Sequence, residues 1–142
     1  MIRYMVADDD EQVRDNLGLL LQQKIGAEFG EAQGTFCATV DEAVKSAAEI
    51  GSDLQLIILD MNFGERIGGL QILKELNSEQ RRSVVVYSAY LSRPIPPMGK
   101  TIRDVLITDY GFPPERMVDT IQMPAGLWPA CVRVLDENSK RR

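Results

Sequence analysis

Apolar runs alternate with amphipathic stretches along this chain. Residues 2–7 and 54–59 are apolar with few interruptions, which is typical of strands buried on both faces of a parallel sheet. Residues 11–25 instead carry apolar side chains at helical spacing. The pattern therefore predicts a strand, then a helix and, further along, a second buried strand.

The rest of the chain continues in the same way. The pattern predicts a loop at 26–34, a strand at 35–38 and a helix from a capping box at Thr39 and Glu42 to Gly51. After the buried strand at 54–59 it predicts a loop at 60–69, a short helix at 70–76 and a strand at 83–87. It then predicts a helix at 101–110, a strand at 117–122 and a final helix with an apolar stripe from Leu127 to Leu135. The proline-rich segment 91–99 interrupts this order, because proline prevents a helix and cannot lie in a central strand. Since strands and helices alternate, we expect an α/β fold with a parallel sheet.

The length of 142 residues suits one compact domain. We assign residues 1–137 to that domain and residues 138–142 to a basic C-terminal tail. No apolar run approaches the roughly 20 residues that a membrane span needs, and the first residues enter a strand without the order of a signal peptide. We therefore expect a cytoplasmic protein with no membrane partner.

Charge and composition exclude several classes of function. The net charge of -5 argues against nucleic acid as a partner, because binding to its phosphate backbone relies on clustered lysine and arginine. The chain has no histidine, which excludes Ser-His-Asp and Cys-His catalysis, histidine-ligated zinc and a phosphohistidine on this chain. Cys37 and Cys131 lie in apolar patterns without the spacing of a metal or redox pair, so we expect both in the core.

Carboxylates follow two of the predicted strands at the point where each strand ends. Asp8, Asp9 and Asp10 follow the first strand, and Asp60 follows the third. The carboxyl ends of parallel strands share one edge of the sheet, where ligands bind. If the two strands are neighbours, the acids meet, and they repel one another unless a cation joins them or one acid stays protonated. The predicted ligand is a hard divalent metal ion.

Simpler roles are open for several residues at this edge. Asp10 is well placed to cap the first helix, and Asp60 could be an ordinary loop acid after a strand. Ser88 follows the predicted fourth strand and brings a hydroxyl to the same edge. A serine at a strand end also often begins a turn, so that alternative stays open for Ser88.

Four segments, taken in order, resemble the receiver domain of bacterial two-component response regulators. VADDDEQVRDNL at 6–17 is similar to the family's first strand, acidic pair and first helix, and SDLQLIILDMN at 52–62 is similar to its third strand with the phosphoacceptor aspartate. VVVYSAY at 84–90 is similar to the fourth strand with its hydroxyl residue, and QMP at 122–124 resembles the end of the fifth. The resemblance covers essentially the whole chain. It implies a flavodoxin-like, doubly wound sheet of five parallel strands in the order 2-1-3-4-5, with helices on both faces.

Carried over by position, the resemblance implies a magnesium and phosphorylation site. Asp60 is the implied phosphoacceptor, and Ser88 is the hydroxyl that contacts the phosphoryl group. Asp8, Asp9 and Asp60, with the backbone carbonyl of Asn62, are the implied Mg²⁺ ligands. The resemblance also implies a sensor histidine kinase or phosphotransfer protein as donor, an unknown downstream protein as the next partner, and no enzymatic turnover by the chain itself.

The chain departs from the family at positions that concern signalling. Met123 stands where the family has a lysine before the strand-five proline, and Thr120 stands where it usually has an aromatic residue. The loop after Asp60 lacks the usual proline and carries Gly68 and Gly69. These departures predict a weaker or uncoupled phosphorylated state, because an acyl phosphate would lose one close cation.

The resemblance to the family also bears on substitute cations, one peptide bond and the proline-rich segment. Arg66, Arg93 and Lys100 are candidate substitute cations, although basic residues on loops are usually solvated. The resemblance favours a cis peptide at Met123–Pro124, with trans as the alternative. The segment 91–99 belongs to a stretch longer than the family's, and it is either a partner-binding surface or a loop packed on the extra helix length.

Three functions are compatible with these residues. The first is a receiver that is phosphorylated on Asp60. The second is a degenerate receiver that acts as a phosphorylation-independent interaction module, which Met123 and Thr120 favour and the intact acids oppose. The third is an aspartate-nucleophile phosphatase that resembles the haloacid dehalogenases. Asn62 argues against the third, because those enzymes have an acid two residues after the nucleophile.

Overall fold

The computed structural model describes residues 1–62, 67–89, 91–92, 94–95, 99–120, 123 and 125–141. Within them, five strands form one sheet in the order β2-β1-β3-β4-β5, and every pairing is parallel. The strands are β1 (Ile2–Ala7), β2 (Ala32–Cys37), β3 (Leu54–Asp60), β4 (Val84–Ser88) and β5 (Met117–Asp119). The predicted flavodoxin-like sheet and its strand order are confirmed.

Helices cover both faces of this sheet. The described residues form α1 (Glu11–Phe29), α2 (Val40–Ile50), α3 (Gly68–Glu75), α4 (Ser78–Arg81), α5 (Ile102–Tyr110) and α6 (Leu127–Arg141), with 3-10 turns at Gly51–Asp53 and Pro114–Arg116. Buried residues of α1 and α6 pack on one face, and those of α2, α3 and α5 pack on the other. The sheet is therefore doubly wound, as predicted.

The central strand β3 supplies alternate side chains to the two apolar clusters. Leu56 and Ile58 face α1 and α6, whereas Ile57 and Leu59 face the opposite helical layer. All four side chains are 0 % exposed. Because β3 is packed on both sides, the residue at its carboxyl end, Asp60, is held at a fixed point of the sheet edge.

Helix α1 is longer than the sequence pattern predicts. It continues past Ile25 to Phe29, so the prediction of a loop at 26–34 is wrong. Phe29 packs against the apolar cluster between α1, α6 and the sheet, and this burial offsets the cost of about 1 kcal/mol for Gly26 inside a helix. The helix ends at Gly30, whose φ of 97° is accessible to glycine.

Strand β2 also begins earlier than predicted, at Ala32. Its extent is determined by main-chain pairing with β1, from Ile2 with Ala32 to Ala7 with Cys37. Because β2 is an edge strand, Gln33 and Phe36 are exposed and its sequence lacks a continuous apolar run.

Smaller differences occur in the second half of the chain. Helix α4 was not predicted, and a capping box between Asn77 and Gln80 begins it. Strand β4 ends at Ser88. Strand β5 ends at Asp119, whereas the prediction extended to residue 122, and residues 121 and 122 lie outside the described part of the chain.

The described part of the proline-rich segment 91–99 packs on the domain. Leu91 is buried in the core and accepts a backbone hydrogen bond from Arg103 at 3.0 Å. Ile95 packs against the same core, and Pro94 forms a bridge with Thr101. These contacts favour the packed-loop alternative for these residues, while Arg93 and 96–98 lie outside the described residues.

Helix α6 continues through most of the segment predicted as a basic tail, 138–142, as far as Arg141. Asn138 Nδ2 donates to the carbonyl oxygen of Gln55 at 2.7 Å and to Ser83 Oγ at 3.0 Å. These bonds attach the helix to the start of β3 and to the residue before β4. The division of the chain into a domain and a tail stays a prediction.

Two further expectations concern burial and membranes. Cys37 and Cys131 are buried, as predicted, and both are free thiols. Among the described residues, no helix combines the length and the apolar character required to cross a membrane.

Candidate functional site

The register of the parallel sheet brings Asp8, Asp60 and Tyr87 into one row. Ala7 pairs with Leu59, so the residues that follow them, Asp8 and Asp60, lie beside each other. Asp60 in turn pairs with Tyr87. Since successive side chains point to opposite faces of a sheet, this row lies on the side of α1 and α6, where Tyr87 packs.

Three carboxylates form a cluster at the carboxyl ends of β1 and β3. One oxygen atom from each of Asp8, Asp9 and Asp60 lies within 4.8 Å of the others. Asp8 is buried, Asp60 is half-buried and Asp9 is exposed. The expectation that the acids after the first and third strands meet at one edge is confirmed.

The acids line an open pocket of about 330 Å³. Its described lining residues are Asp8, Asp9, Asp10, Val13, Asp60, Asn62, Tyr87, Ala89, Thr120 and Met123. None of these lining residues is a lysine or an arginine. Thr120 and Met123, two of the positions that depart from the family pattern, are lining residues, so these departures lie at the site itself.

The candidate substitute cations are placed as follows. Lys100 is exposed and is not among the described residues that line the pocket. Arg66 and Arg93 lie outside the described residues, and so does Pro124, with the predicted cis peptide that precedes it.

Asp8 accepts hydrogen bonds on both carboxylate oxygens. The backbone N–H of Asp10 donates to Oδ1 at 2.8 Å, and the hydroxyl of Tyr87 donates to Oδ2. Asp8 is only 2 % exposed and Tyr87 only 4 %. Because a buried carboxylate without donors carries a large desolvation cost, both bonds stabilise its charged form.

Burial raises the pKa of Asp60 from its ordinary value of 3.8 to about 7. The backbone N–H of Asn62, which donates to Asp60 Oδ1 at 3.0 Å, lowers this pKa, and the charges of Asp8 and Asp9 raise it further. Without a cation, Asp60 is therefore partly protonated near neutral pH. Either a proton or a divalent cation relieves the repulsion among these carboxylates.

The pKa values of the other two members of the row, Asp8 and Tyr87, are also raised. Burial raises the pKa of Asp8, whereas the hydrogen bonds from Tyr87 and Asp10 lower it. Burial, followed by the charge of Asp8, raises the pKa of the Tyr87 hydroxyl far above its ordinary range. Tyr87 is therefore a neutral hydrogen-bond donor at physiological pH.

Asn62 and Ser88 are placed differently with respect to the pocket. Asn62 is half-buried and lines it. Ser88 is 1 % exposed, is not among the described lining residues, and donates its hydroxyl to the side-chain oxygen of Asn62. The contact of Ser88 with a phosphoryl group and the role of the Asn62 carbonyl as a metal ligand stay predictions.

The donor set fits a hard divalent cation. Mg²⁺ takes oxygen ligands in octahedral geometry and keeps several waters, which a cluster of carboxylates beside an open pocket allows. The burial of Asp8 adds to this fit, because a buried carboxylate beside two others is stabilised by positive charge in addition to its two hydrogen bonds. Asp8, Asp9 and Asp60 are the residues that could hold Mg²⁺ here.

Asp10 has the structural role that the sequence analysis left open for it. Its Oδ1 accepts from the backbone N–H of Gln12 at 2.9 Å and from that of Val13 at 3.2 Å. Asp10 is therefore the N-cap of α1, and the prediction is confirmed.

Gly69 allows the first turn of α3 to lie close to the backbone at the end of β3. A Cβ atom at this position would lie 2.7 Å from the Cα of Met61 and 2.8 Å from the carbonyl oxygen of Asp60. Both contacts are with backbone, so a side chain at residue 69 would have to displace the chain at Asp60.

Tyr87 is a residue of the site that the sequence pattern did not reveal. A signal was present, because a tyrosine ends an otherwise all-valine run at the edge that carries the acids. The reach of its hydroxyl to Asp8, however, depends on the pairing of three strands, which a local pattern does not record.

Comparison with known proteins gives a partial match in sequence. No family model matches the chain. The chain is similar to the transcriptional regulatory protein BtsR of Salmonella typhi, with 32% identity over 91 residues, and to that of Salmonella typhimurium, with 31% identity over 91 residues. These matches cover 63% of the chain and 35% of each relative, so the chain spans only about a third of their length.

Solved structures agree with the chain over nearly its full length. A response regulator receiver domain protein from Clostridium thermocellum matches over 100% of both chains, with a TM-score of 0.74 and 15% identity. A CheY-like receiver domain protein from Methanospirillum hungatei JF-1 matches over 100% of this chain and 99% of its own, with a TM-score of 0.69 and 18% identity. A receiver protein from Sinorhizobium medicae WSM419 matches over 95% and 94%, with a TM-score of 0.68 and 13% identity. The chain therefore has the fold of response regulator receiver domains.

Proposed function

We propose that this chain is a response regulator receiver domain that binds Mg²⁺ at Asp8, Asp9 and Asp60 and accepts a phosphoryl group on Asp60. The observation that carries the proposal is the cluster of these three carboxylates at the carboxyl edge of a receiver-type sheet. A phosphoacceptor has to be held rigidly and still be reached from outside. Asp60 satisfies both needs, because it ends the buried strand β3 and lines an open pocket.

The residues around Asp60 have separate tasks in this reaction. A carboxylate oxygen of Asp60 attacks the phosphorus of the donor, and the bond between phosphorus and the donor breaks as the new P–O bond forms. The backbone N–H of Asn62 orients the Asp60 carboxylate through Oδ1. Asp8 and Asp9, together with Asp60, would hold the cation. When bound, Mg²⁺ supplies positive charge that favours the ionised form of Asp60 and offsets the charge of the incoming phosphoryl oxygens.

The proposal requires a phosphodonor from outside the chain. Because the chain contains no histidine, a phosphohistidine has to come from outside these 142 residues, and we propose a sensor histidine kinase or a phosphotransfer protein as its source. The chain then acts as an acceptor without enzymatic turnover and passes the signal to a downstream protein by direct contact, in the cytoplasm. Its similarity to a transcriptional regulatory protein over 91 residues supports a regulatory role.

Intact-mass measurement after incubation with Mg²⁺ and a small acyl phosphate tests this proposal. The wild type should gain about 80 Da, the mass of one phosphoryl group, and Asp60→Asn should gain none. Asp119→Asn is the matched control, because Asp119 also ends a strand of the sheet but is not among the described residues that line the pocket. It should gain the same mass as the wild type. An unmodified wild type, or an Asp60→Asn variant that is still modified, would contradict the proposal.

A second candidate function is a phosphorylation-independent interaction module with the same fold. Met123 and Thr120 favour it, because they line the pocket at the positions where the family has a lysine and an aromatic residue. An acyl phosphate would add about two negative charges to a pocket whose described lining offers no cationic side chain. A wild type that binds Mg²⁺ but gains no mass in the experiment above would favour this candidate.

A further inference from the structure

We infer that Tyr87 is a positioning residue of the cation site: its hydroxyl reaches across β3 and fixes the Asp8 carboxylate in the orientation that binds a divalent cation. The inference rests on the cation binding proposed above and adds a residue outside the ligand set of Asp8, Asp9, Asp60 and Asn62. It concerns the hydroxyl alone, since the ring packs in the apolar cluster between the sheet, α1 and α6.

The position of Tyr87 in the sheet means that only a long side chain can make this contact. Tyr87 lies in β4 and Asp8 follows β1, with β3 and Asp60 between them. Two strand spacings amount to roughly 10 Å, so a short side chain on β4 could not reach Asp8. The tyrosine places its hydroxyl at Asp8 Oδ2, whereas the hydroxyl of the adjacent Ser88 is donated to Asn62.

Two donors together fix the plane of the Asp8 carboxylate. The backbone N–H of Asp10 binds Oδ1 at 2.8 Å, and the hydroxyl of Tyr87 binds Oδ2. A carboxylate has about four lone-pair positions, so each oxygen keeps one position for a cation while its direction is set. Groups that bind a metal-ligating side chain in this way typically contribute about 10-fold to 100-fold to metal affinity.

A neutral donor suits this pocket better than a cationic one. The hydroxyl stabilises the charge on Asp8 and so relieves part of the repulsion among the carboxylates. It adds no positive charge, which would oppose an incoming divalent cation. The described lining contains no lysine or arginine, so no cationic side chain there takes the place of this hydroxyl as a donor.

If Tyr87 had only a structural role, its replacement would change the stability of the fold but not the affinity for Mg²⁺. The side chain is 4 % exposed, so its loss would destabilise the fold whatever the hydroxyl does. Tyr87→Phe retains the ring and removes only the hydroxyl. Tyr4→Phe is the matched control, because Tyr4 is 1 % exposed, belongs to the same cluster and donates its hydroxyl to Gln22 at 2.9 Å.

Isothermal titration of the full chain with MgCl₂ measures the contribution of the hydroxyl. We expect Tyr87→Phe to raise the Kd for Mg²⁺ about 10-fold and Tyr4→Phe to stay within about twofold of the wild type. Thermal melts in EDTA report the loss of stability of each variant separately. A Kd of Tyr87→Phe within about twofold of the wild type, or equal weakening by Tyr4→Phe, would overturn the inference. A wild type that binds no Mg²⁺ would instead overturn the proposed cation site, and this inference with it.

A measurement on the wild type covers the case in which Tyr87→Phe does not fold. In a chain labelled with ¹³C at tyrosine Cζ, addition of Mg²⁺ should shift the Tyr87 resonance, because its hydroxyl shares a hydrogen bond with a cation ligand. The Tyr4 resonance should stay in place. With aspartate Cγ labelled as well, a Tyr87 resonance that does not move while the carboxyl resonances of Asp8 and Asp60 shift would also overturn the inference.

Discussion

Asp8 and Asp60 lie side by side because Ala7 pairs with Leu59 in the parallel ladder between β1 and β3. The two acids repel each other, so their approach is imposed by the strands that precede them. Ala7 and Leu59 are both 0 % exposed. A slip of one residue between β1 and β3 would exchange the side chains that a strand supplies to the two apolar clusters, and the core therefore determines the geometry of the acids.

Magnesium should stabilise the folded chain, because a bound cation removes the repulsion among Asp8, Asp9 and Asp60. At a free concentration one hundred times its Kd, the expected gain is about 2.7 kcal/mol, which corresponds to roughly 9 °C in Tm for a chain of this size. Thermal melts with MgCl₂ measure this shift, with NaCl of equal ionic strength as the control. Asp8→Asn should lose most of it. A wild-type Tm that is the same in both salts would contradict the metal site.

Without a cation, the contribution of Asp60 to stability should fall as the pH rises. Its pKa in the folded chain is about 7, above its ordinary value of 3.8, so the folded state binds this proton more tightly than the unfolded state. The stabilisation that comes from protonation of Asp60 is therefore fully present below about pH 4 and is lost as the pH rises through about 7.

Asp60→Asn isolates this effect, because the amide stays neutral at every pH. In EDTA at about pH 8, the variant should be more stable than the wild type by about 2 kcal/mol, a value that allows for the partial exposure of the carboxyl group. At about pH 4 the two proteins should be similar. Urea denaturation at both pH values gives the free energies of unfolding. A difference that is the same at both would show that Asp60 is not protonated as described.

Gly69→Ala should disturb the site from the side of α3. The added Cβ would meet the backbone of Asp60 and Met61, so we expect a loss of about 2 kcal/mol in the free energy of unfolding and weaker Mg²⁺ binding. Gly26→Ala is the matched control, since residue 26 lies in α1 and an added Cβ would have no atom within 4 Å apart from the adjacent backbone of its own helix. That variant should be more stable by up to about 1 kcal/mol. Urea denaturation compares the two, and a Gly69→Ala variant as stable as Gly26→Ala would contradict the close approach.

Asp10→Ala should remove the N-cap of α1 and lower the free energy of unfolding by about 1 kcal/mol. Asp10→Ser provides a different oxygen acceptor for the N–H groups of Gln12 and Val13, so it should recover most of this loss. Urea denaturation followed by circular dichroism measures both variants. Equal stability of the alanine and serine variants would show that the cap does not contribute.

The central part of the fold could be predicted because its physical cause is local. Burial of β1 and β3 on both faces requires continuous apolar runs, and these are visible in residues 2–7 and 54–59. Once those strands are taken as parallel neighbours, the acids that follow them have to share an edge. The cluster of Asp8 and Asp60 was predictable for this reason.

The features that the sequence did not reveal depend on distant parts of the chain. The last turn of α1 is stabilised by packing of Phe29 on the cluster, which overrides the helix-breaking tendency of Gly26. The extent of β2 comes from backbone pairing with β1 and not from its side chains. The hydrogen bond of Tyr87 to Asp8 requires the register of β1, β3 and β4 at once.

Asn138 limits how far the chain can be truncated. Its amide donates to Gln55 and Ser83 at the end of the sheet opposite the acids, and it does so from the last turns of α6. A truncation after Glu137 would remove this donor from both acceptors and shorten the helix, although the charge pattern alone would suggest that the remaining residues are dispensable. Shortened versions of the protein should therefore keep the chain through Arg141.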